Sequence, residues 1–188
     1  TWEGGQRVPT VFWAPGRIRP NTTCKAMAST LDILPTFAAL ARAQVPKDRD
    51  LDGEDIGHLL AGRFEEARAD KVYHYYLRTT LQAVRQGKWK LHLPRPAKRP
   101  WLVPFAQNKH IHPKDDAAFS EPLLYDLDRD ISETTNVAEA NPKVVKQLLA
   151  IAEKARTEIG DYNRICSRAR FFDKGARRPD VKKWIQQN

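Results

Sequence analysis

The sequence lacks the features that mark membrane-spanning, zinc-binding and disulfide-rich proteins. None of its apolar runs approaches the roughly 18 residues that suggest a transmembrane helix. Only two of the 188 residues are cysteines, Cys24 and Cys166, and they lie far apart without Cys-x-x-Cys spacing. They therefore predict neither a zinc site nor a disulfide framework. A single bridge between them and the cellular compartment both stay open.

The sequence also lacks a self-contained catalytic motif. It contains no Gly-x-Ser-x-Gly, no His-Glu-x-x-His and no glycine-rich phosphate loop. His110 and His112 have only Asp115 and Asp116 as weak companion ligands, so a solvated loop is favoured over a metal site. The acidic stretch 126–136 lacks the glycine and final glutamate of a calcium-binding EF-hand loop, and this favours a polar turn.

Positive charge is in excess, with a formal net charge of +9 and a pI near 9.7. This predicts a basic face, which would attract anionic substrates or nucleic acid. A basic nucleic-acid-binding module is one alternative, and it depends on the stretches 164–172 and 174–184 of the basic tail. The aromatic residues do not alternate with the basic ones there, and no recognition motif is present.

The first third of the chain predicts a strand and two helices. Residues 7–13, "RVPTVFW", are typical of a buried strand, with Pro9 confining it to a strand start or an edge. Residues 29–42 have helical periodicity, and Pro35 fits only their first turn. A short apolar patch at 56–60 predicts one further helical turn.

The rest predicts an α+β layer of four antiparallel strands with a helix across one face. The strands are 71–77, two arms of a hairpin over 81–93 that turns at Gln86-Gly87, and 123–127. The helix spans 142–159, with Asn141 as its predicted N-cap and Pro142 at its first position, and it ends at Gly160. Its predicted apolar stripe consists of Val144, Leu148, Ile151, Ala155 and Ile159.

Two histidines fall on predicted strands. His74 lies among tyrosines in what we expect to be a central strand, as a hydrogen-bonded core residue or as one that faces substrate. Alternation places Trp89, Leu91 and Leu93 on one face of the hairpin and the two lysines with His92 on the other. We expect this second face, and hence His92, to be exposed.

Five segments together resemble the C-terminal third of a formylglycine-dependent sulfatase of the arylsulfatase type. The resemblance covers roughly residues 1–160, and its segments follow the family's order and spacing. The segments are "TWEGGQRVPTVFWAPGRI", "STLDILPTFAALA", "LDGEDIGHLLAG", "LQAVRQGKWKLHL" and "LLYDLDRDISETTNVAEANPKVVKQL".

The resemblance implies the C-terminal part of an α/β, alkaline-phosphatase-like sulfatase fold. Residues 1–65 would form the end of the large α/β domain, and residues 66–160 a small α+β subdomain. That subdomain would be a four-stranded antiparallel sheet packed by a C-terminal helix. The proline-rich loop predicted at 94–122 departs from the shorter connection common in the family. Beyond the resemblance, the excess of basic residues at 161–188 predicts a basic tail, with Phe171, Phe172 and Trp184 as anchors.

The family mechanism uses a formylglycine, made from the first residue of Cys/Ser-x-Pro-x-Arg, and a calcium ion. Cys24 and Cys166 both lack the proline of that motif, and the family's sulfate-binding lysine would lie just before Thr1. The resemblance therefore implies no catalytic and no metal-binding residue in these 188 residues. The nucleophile and calcium would come from an N-terminal catalytic portion, the expected partner, and the isolated chain would be inactive.

For substrate binding, the resemblance implies Thr1 and Trp2 beside the sulfate pocket and His74 near the cleft. Glu3 and Arg7 would pair locally to fix the turn. Arg95, Lys98, Arg99 and Lys109 of the long loop would be candidates for an anionic or sugar-like leaving group.

The expected substrate is a sulfated small molecule or carbohydrate, with export to the periplasm, the exterior or the lysosome. We expect neither nucleic acid nor a membrane as a partner. Within the same superfamily, the alternative activity is hydrolysis of phosphonates or phosphate monoesters.

Overall fold

A computed structural model describes residues 1–48, 50–64, 70–77, 79–94, 120–161 and 164. A short 3-10 helix, Thr30–Asp32, precedes the second helix. The remaining elements are, in chain order, α1 Glu3–Gln6, α2 Ile33–Leu40, α3 Gly57–Leu60, β1 Val72–Leu77, β2 Thr80–Gln86, β3 Trp89–His92, β4 Leu123–Asp126 and α4 Pro142–Glu158.

The four strands form an antiparallel sheet in the order β1-β2-β3-β4, which confirms the predicted layer. Gly87 begins the β2–β3 turn with a φ of +56°, a conformation that suits glycine. One expectation is wrong: β1, which carries His74, is an edge strand of the described sheet. Its tyrosine-rich composition indicated a strand but not its neighbours, because strand order is set by pairing rather than by composition.

A β-bulge in β2 turns one polar side chain toward the N-terminal segment. Tyr75 pairs with Ala83 and Tyr76 with Leu81, so Gln82 is the extra residue on β2. Its side-chain oxygen accepts a hydrogen bond from the Thr1 hydroxyl at 2.8 Å. The bulge therefore links the sheet to residue 1.

Helix α4 covers one face of the sheet and forms the core with it. The buried cluster joins two sets of side chains, Leu148, Ala152 and Ala155 from the helix and Leu81, Val84, Leu91, Leu93 and Leu124 from the sheet side. Gly160 ends the helix with a φ of +105°, as predicted. Ile159 is 48% exposed and is not part of the stripe, because it lies beyond the last residue of α4.

The predicted strand at 7–13 is wrong. These residues form no ladder with another described segment, and Val11 and Trp13 are 88% and 84% exposed. A strand needs a neighbour to satisfy its backbone groups, and the described part of the chain places none beside it. The apolar pattern therefore marks a surface segment of this chain.

The helix predicted at 29–42 is present as α2, entered through a capping box. Ser29 and Asp32 exchange hydrogen bonds at its start, and Pro35 lies in the first turn of α2. Asp32 is 1% exposed and also accepts the Glu54 amide at 2.8 Å, which joins the helix to the segment before α3. No helix among the described residues is both long and apolar enough to cross a bilayer.

Candidate functional site

The hairpin face opposite α4 is buried and charged. Lys90 and His92 point to this face, as alternation predicts, but each is 0% exposed. The expectation that His92 would be exposed is wrong, because residues 1–3 and Glu133 cover this face. Strand alternation predicts which side chains share a face, but not what packs against that face.

Glu133 lies between the hairpin and the N-terminal segment. Its Oε1 is 2.7 Å from His92 Nε2 and 2.9 Å from Lys90 Nζ, while its Oε2 accepts the backbone N–H of Glu3 at 2.6 Å. Burial alone raises the pKa of the Glu133 carboxyl. The bonds from His92, the Glu3 amide and Lys90 outweigh burial and lower that pKa to about 2.

An ionised Glu133 determines the roles within the cluster. A carboxylate without a proton can only accept, so His92 Nε2 carries the hydrogen and donates it. The Lys90 ammonium has three donors, and three oxygens surround it: Glu133 Oε1, Glu3 Oε1 at 3.0 Å and the Thr1 carbonyl at 2.8 Å.

Glu3 is the second buried carboxylate of the cluster. Besides Lys90, its Oε1 accepts the Tyr75 hydroxyl at 2.9 Å, and its Oε2 lies 3.1 Å from Arg7 Nη2 and 3.4 Å from Arg85 Nη1. Burial raises the pKa of the Glu3 carboxyl, but Lys90, Tyr75 and Arg85 together hold it below its usual value. Burial and the Glu3 charge raise the pKa of Tyr75, so its phenol remains a neutral donor.

The expected local pairing of Glu3 with Arg7 is therefore present, as part of a larger cluster. We call Glu3, Lys90, His92 and Glu133 the charged cluster. Their side chains come from α1, β3 and the loop after β4.

Trp2 closes the cluster on one side. Its indole stacks on His92 at 4.1 Å between ring centroids and contacts the edge of Tyr125 at 5.9 Å. The ring remains 38% exposed and borders a groove of about 520 Å³. The groove is lined by Trp2, Glu3, Gly4, Arg7, Ile131, Ser132 and Glu133.

The structure separates the three residues predicted to contact substrate. Thr1 and Trp2 lie on the face of the charged cluster, whereas His74 pairs with Val84, a core residue under α4, on the opposite face. Burial lowers the pKa of His74, and the nearby Asp52 and Glu158 oppose that effect. A substrate contact for any of the three stays a prediction.

The described residues offer no metal site. No group of three or more histidine, cysteine, aspartate or glutamate side chains in the described ranges is placed to hold an ion. Glu3 and Glu133 do not fit a calcium ion either, because cationic and hydrogen-bonding groups already occupy their oxygens. Cys24 is exposed.

Several predicted features lie outside the described residues. They include Cys166, the paired histidines of the long loop and its basic residues Arg95, Lys98, Arg99 and Lys109. Most of the loop 94–122 and of the tail 161–188, with Phe171, Phe172 and Trp184, also lies outside.

Sequence reasoning did not single out Lys90 and Glu133. A signal was present for both, since Lys90 belongs to the "GKWKL" stretch and Glu133 ends the Asp-x-x-Glu of "DISE". Both segments carried the family resemblance. Their roles become apparent only when β3 and the loop after β4 are brought together.

Comparison with known proteins shows what the chain is similar to. The chain is 34% identical to the steryl-sulfatase of Mus musculus over 82% of its length and 36% identical to human arylsulfatase A over 79%. It spans only 26% and 30% of those two proteins. A solved structure from work on glycosaminoglycan metabolism by Bacteroides thetaiotaomicron is 31% identical, with a TM-score of 0.55 over 76% of this chain and 27% of that one.

A family model described as the C-terminal region of aryl-sulfatase matches residues 68–185, more than half of the chain. The matched region includes β1 to β4 and α4, and hence Lys90, His92 and Glu133 of the charged cluster. The chain therefore belongs to the sulfatase family, of which it represents the C-terminal region.

Proposed function

We propose that this chain is the C-terminal portion of an enzyme that hydrolyses sulfate esters. The match of residues 68–185 to the C-terminal region of aryl-sulfatase carries the proposal. The names of the relatives, steryl-sulfatase and arylsulfatase A, agree with it. The chain spans less than a third of those relatives, so the activity belongs to a longer assembly.

We propose that an N-terminal catalytic portion supplies the nucleophile and binds the calcium ion. Formylglycine would supply the attacking oxygen, and calcium would offset the negative charge of the sulfate group. The oxygens of Glu3 and Glu133 are already bonded to cationic and N–H or O–H groups of this chain, which supports a calcium site elsewhere. The present residues would bind and orient: they hold the segment Thr1–Glu3, from which Thr1 and Trp2 would reach the rim of the sulfate pocket.

The surface of the N-terminal third supports such a partner. Val8, Val11 and Trp13 are 68%, 88% and 84% exposed, and Leu34 and Phe37 of α2 are 54% and 53% exposed. Large apolar side chains exposed in such number suit an interaction site. We propose that the catalytic portion covers it, with a domain boundary near residue 65.

For the substrate, we propose a sulfated small molecule or carbohydrate. The solved relative from glycosaminoglycan metabolism supports the carbohydrate class. Export of the protein to the periplasm, the exterior or the lysosome forms part of the same proposal.

The test compares the full-length protein implied by this proposal with the 188-residue chain. We expect the full-length protein to release sulfate from an aryl sulfate in the presence of calcium, and to hydrolyse the matching aryl phosphate or phosphonate much more slowly. The 188-residue chain alone should release none. Faster turnover of the phosphate or phosphonate would favour the alternative activity, and turnover by the pure chain would contradict the division of labour.

A further inference from the structure

The segment Thr1–Glu3 is held by contacts to its backbone as well as to its side chains. The Thr1 carbonyl accepts from Lys90 Nζ at 2.8 Å, and the Glu3 N–H donates to Glu133 Oε2 at 2.6 Å. The Thr1 hydroxyl donates to Gln82, and the Trp2 ring stacks on His92. Contacts to the main chain fix where the segment runs, whichever side chains it carries.

Glu133 joins these contacts. One carboxylate oxygen holds the Glu3 amide, and the other holds both Lys90 and His92, which in turn hold the Thr1 carbonyl and the Trp2 ring. Removing this carboxylate would loosen the contacts to all three residues of the segment. Glu3, by contrast, is also held by Tyr75, Arg85 and Arg7.

The backbone at Glu133 is specialised for this placement. Its φ is +54°, in the left-handed region that residues with a Cβ rarely adopt. The turn around Glu133 is fixed by Asp130, whose Oδ2 accepts the amides of Thr134 and Thr135 at 2.8 and 2.7 Å. A residue that keeps a strained backbone while its buried side chain bonds another segment indicates that its placement has a functional role.

We infer that Glu133 is a positioning residue that fixes the backbone of Thr1–Glu3 on the sheet and thereby sets the geometry of the sulfate ester site. This inference rests on the proposed function, because that function places Thr1 and Trp2 at the rim of the sulfate pocket. Glu133 contacts no reacting atom in this arrangement. Its effect on turnover passes through the segment that it anchors.

The first arm of the test measures anchoring without any substrate. Hydrogen exchange of the amides in residues 3–7 is compared among the wild-type chain, Glu133→Gln and Glu139→Gln. Glu139 is exposed and lies in the same loop between β4 and α4, so it is a matched control. We expect exchange to become about tenfold faster or more in Glu133→Gln, because a charge-assisted bond to the Glu3 amide is lost, and to stay unchanged in the control.

The second arm measures turnover of an aryl sulfate by the full-length protein. Glu133→Gln should lower kcat by about tenfold or more, since small displacements near a reacting centre have large effects, and should change KM little. A destabilised but correctly positioned enzyme would instead lose active protein and keep its kcat per active site. Active sites are therefore counted in each preparation.

A double variant, Lys90→Met with Glu133→Met, guards against simple unfolding. It removes one buried charge of each sign and leaves Glu3 paired with Arg7 and Arg85, so folding should survive better than in either single variant. The anchor is still missing, so kcat should stay low.

Unchanged exchange in Glu133→Gln, or a wild-type kcat in either variant, would overturn the inference. A wild-type protein that hydrolyses no sulfate ester would instead overturn the proposed function and the claim about turnover with it. The exchange arm would then still decide whether Glu133 anchors the segment.

Discussion

Two lysines of the same hairpin show how the setting of a charge determines its contribution. Lys88 pairs with Asp126 at 2.7 Å with its side chain 39% exposed, whereas Lys90 is 0% exposed between two carboxylates. Water screens the first pair and makes it weak. Lys90 is shielded from water, so Glu3 and Glu133 need its charge to offset the cost of their own burial.

Replacing Lys90 by methionine should therefore destabilise the fold far more than the same change at Lys88. Lys90→Met leaves Glu3 and Glu133 without their shared cation, and we expect a loss of about 3–5 kcal/mol in the free energy of unfolding. Lys88→Met should cost about 1 kcal/mol or less. Urea unfolding of both variants measures the difference, and equal losses would show that the cluster is not desolvated as described.

At the scale of elements, the 3-10 helix before α2 and the segment before α3 meet at a glycine. A Cβ at Gly53 would lie 1.9 Å from the Leu31 carbonyl oxygen, a backbone atom that cannot rotate away. At Gly57, in α3, the nearest atom is the flexible Asp55 carboxylate at 3.0 Å. The close approach at Gly53 lets Asp32 reach the Glu54 amide.

We accordingly predict that Gly53→Ala separates the two segments and Gly57→Ala does not. Overpacking against the backbone should cost about 1–3 kcal/mol at residue 53, whereas alanine at residue 57 should be neutral or stabilise α3 by up to about 1 kcal/mol. Thermal unfolding of the two variants provides the comparison. A tolerated Gly53→Ala would mean that the segments are not in contact.

The sequence predicts elements well where the determinants are local. Period-two alternation and Gly87 indicated the β2–β3 hairpin, and Asn141, Pro142 and Gly160 indicated the bounds of α4. Residues 7–13 were predicted wrongly because a strand depends on a neighbour that local sequence does not name. The charged cluster was missed for a related reason, because the contact between Glu3 and Glu133 spans 130 positions along the chain.

At the scale of the molecule, the two parts of the chain differ in what they bury. The sheet and α4 enclose a closed apolar core. Residues 8–40 instead expose large apolar side chains, Val11 and Trp13 most of all, at 88% and 84%. Such a surface suits an extensive protein interface.

We therefore expect the 188-residue chain to bind an apolar fluorescent dye, and the N-terminal catalytic portion to displace that dye. Val11→Ser should weaken this association without lowering the chain's own stability, because residue 11 packs little within the chain. Leu149→Ser, at a 37% exposed position on α4, is the control and should leave association unchanged. A chain that binds no dye, or associates equally well as Val11→Ser, would contradict the proposed interface.

The span between Glu3 and Glu133 also has a consequence for how the protein is made. Translation adds roughly 5–20 residues each second, so the Glu3 amide emerges several seconds before its partner at position 133 exists. Until then the segment Thr1–Glu3 lacks the Glu133 anchor, and its apolar continuation stays open to chaperones and to neighbouring nascent chains. Docking of residues 1–3 is thus completed late in biogenesis, only after the β4 strand has been synthesised.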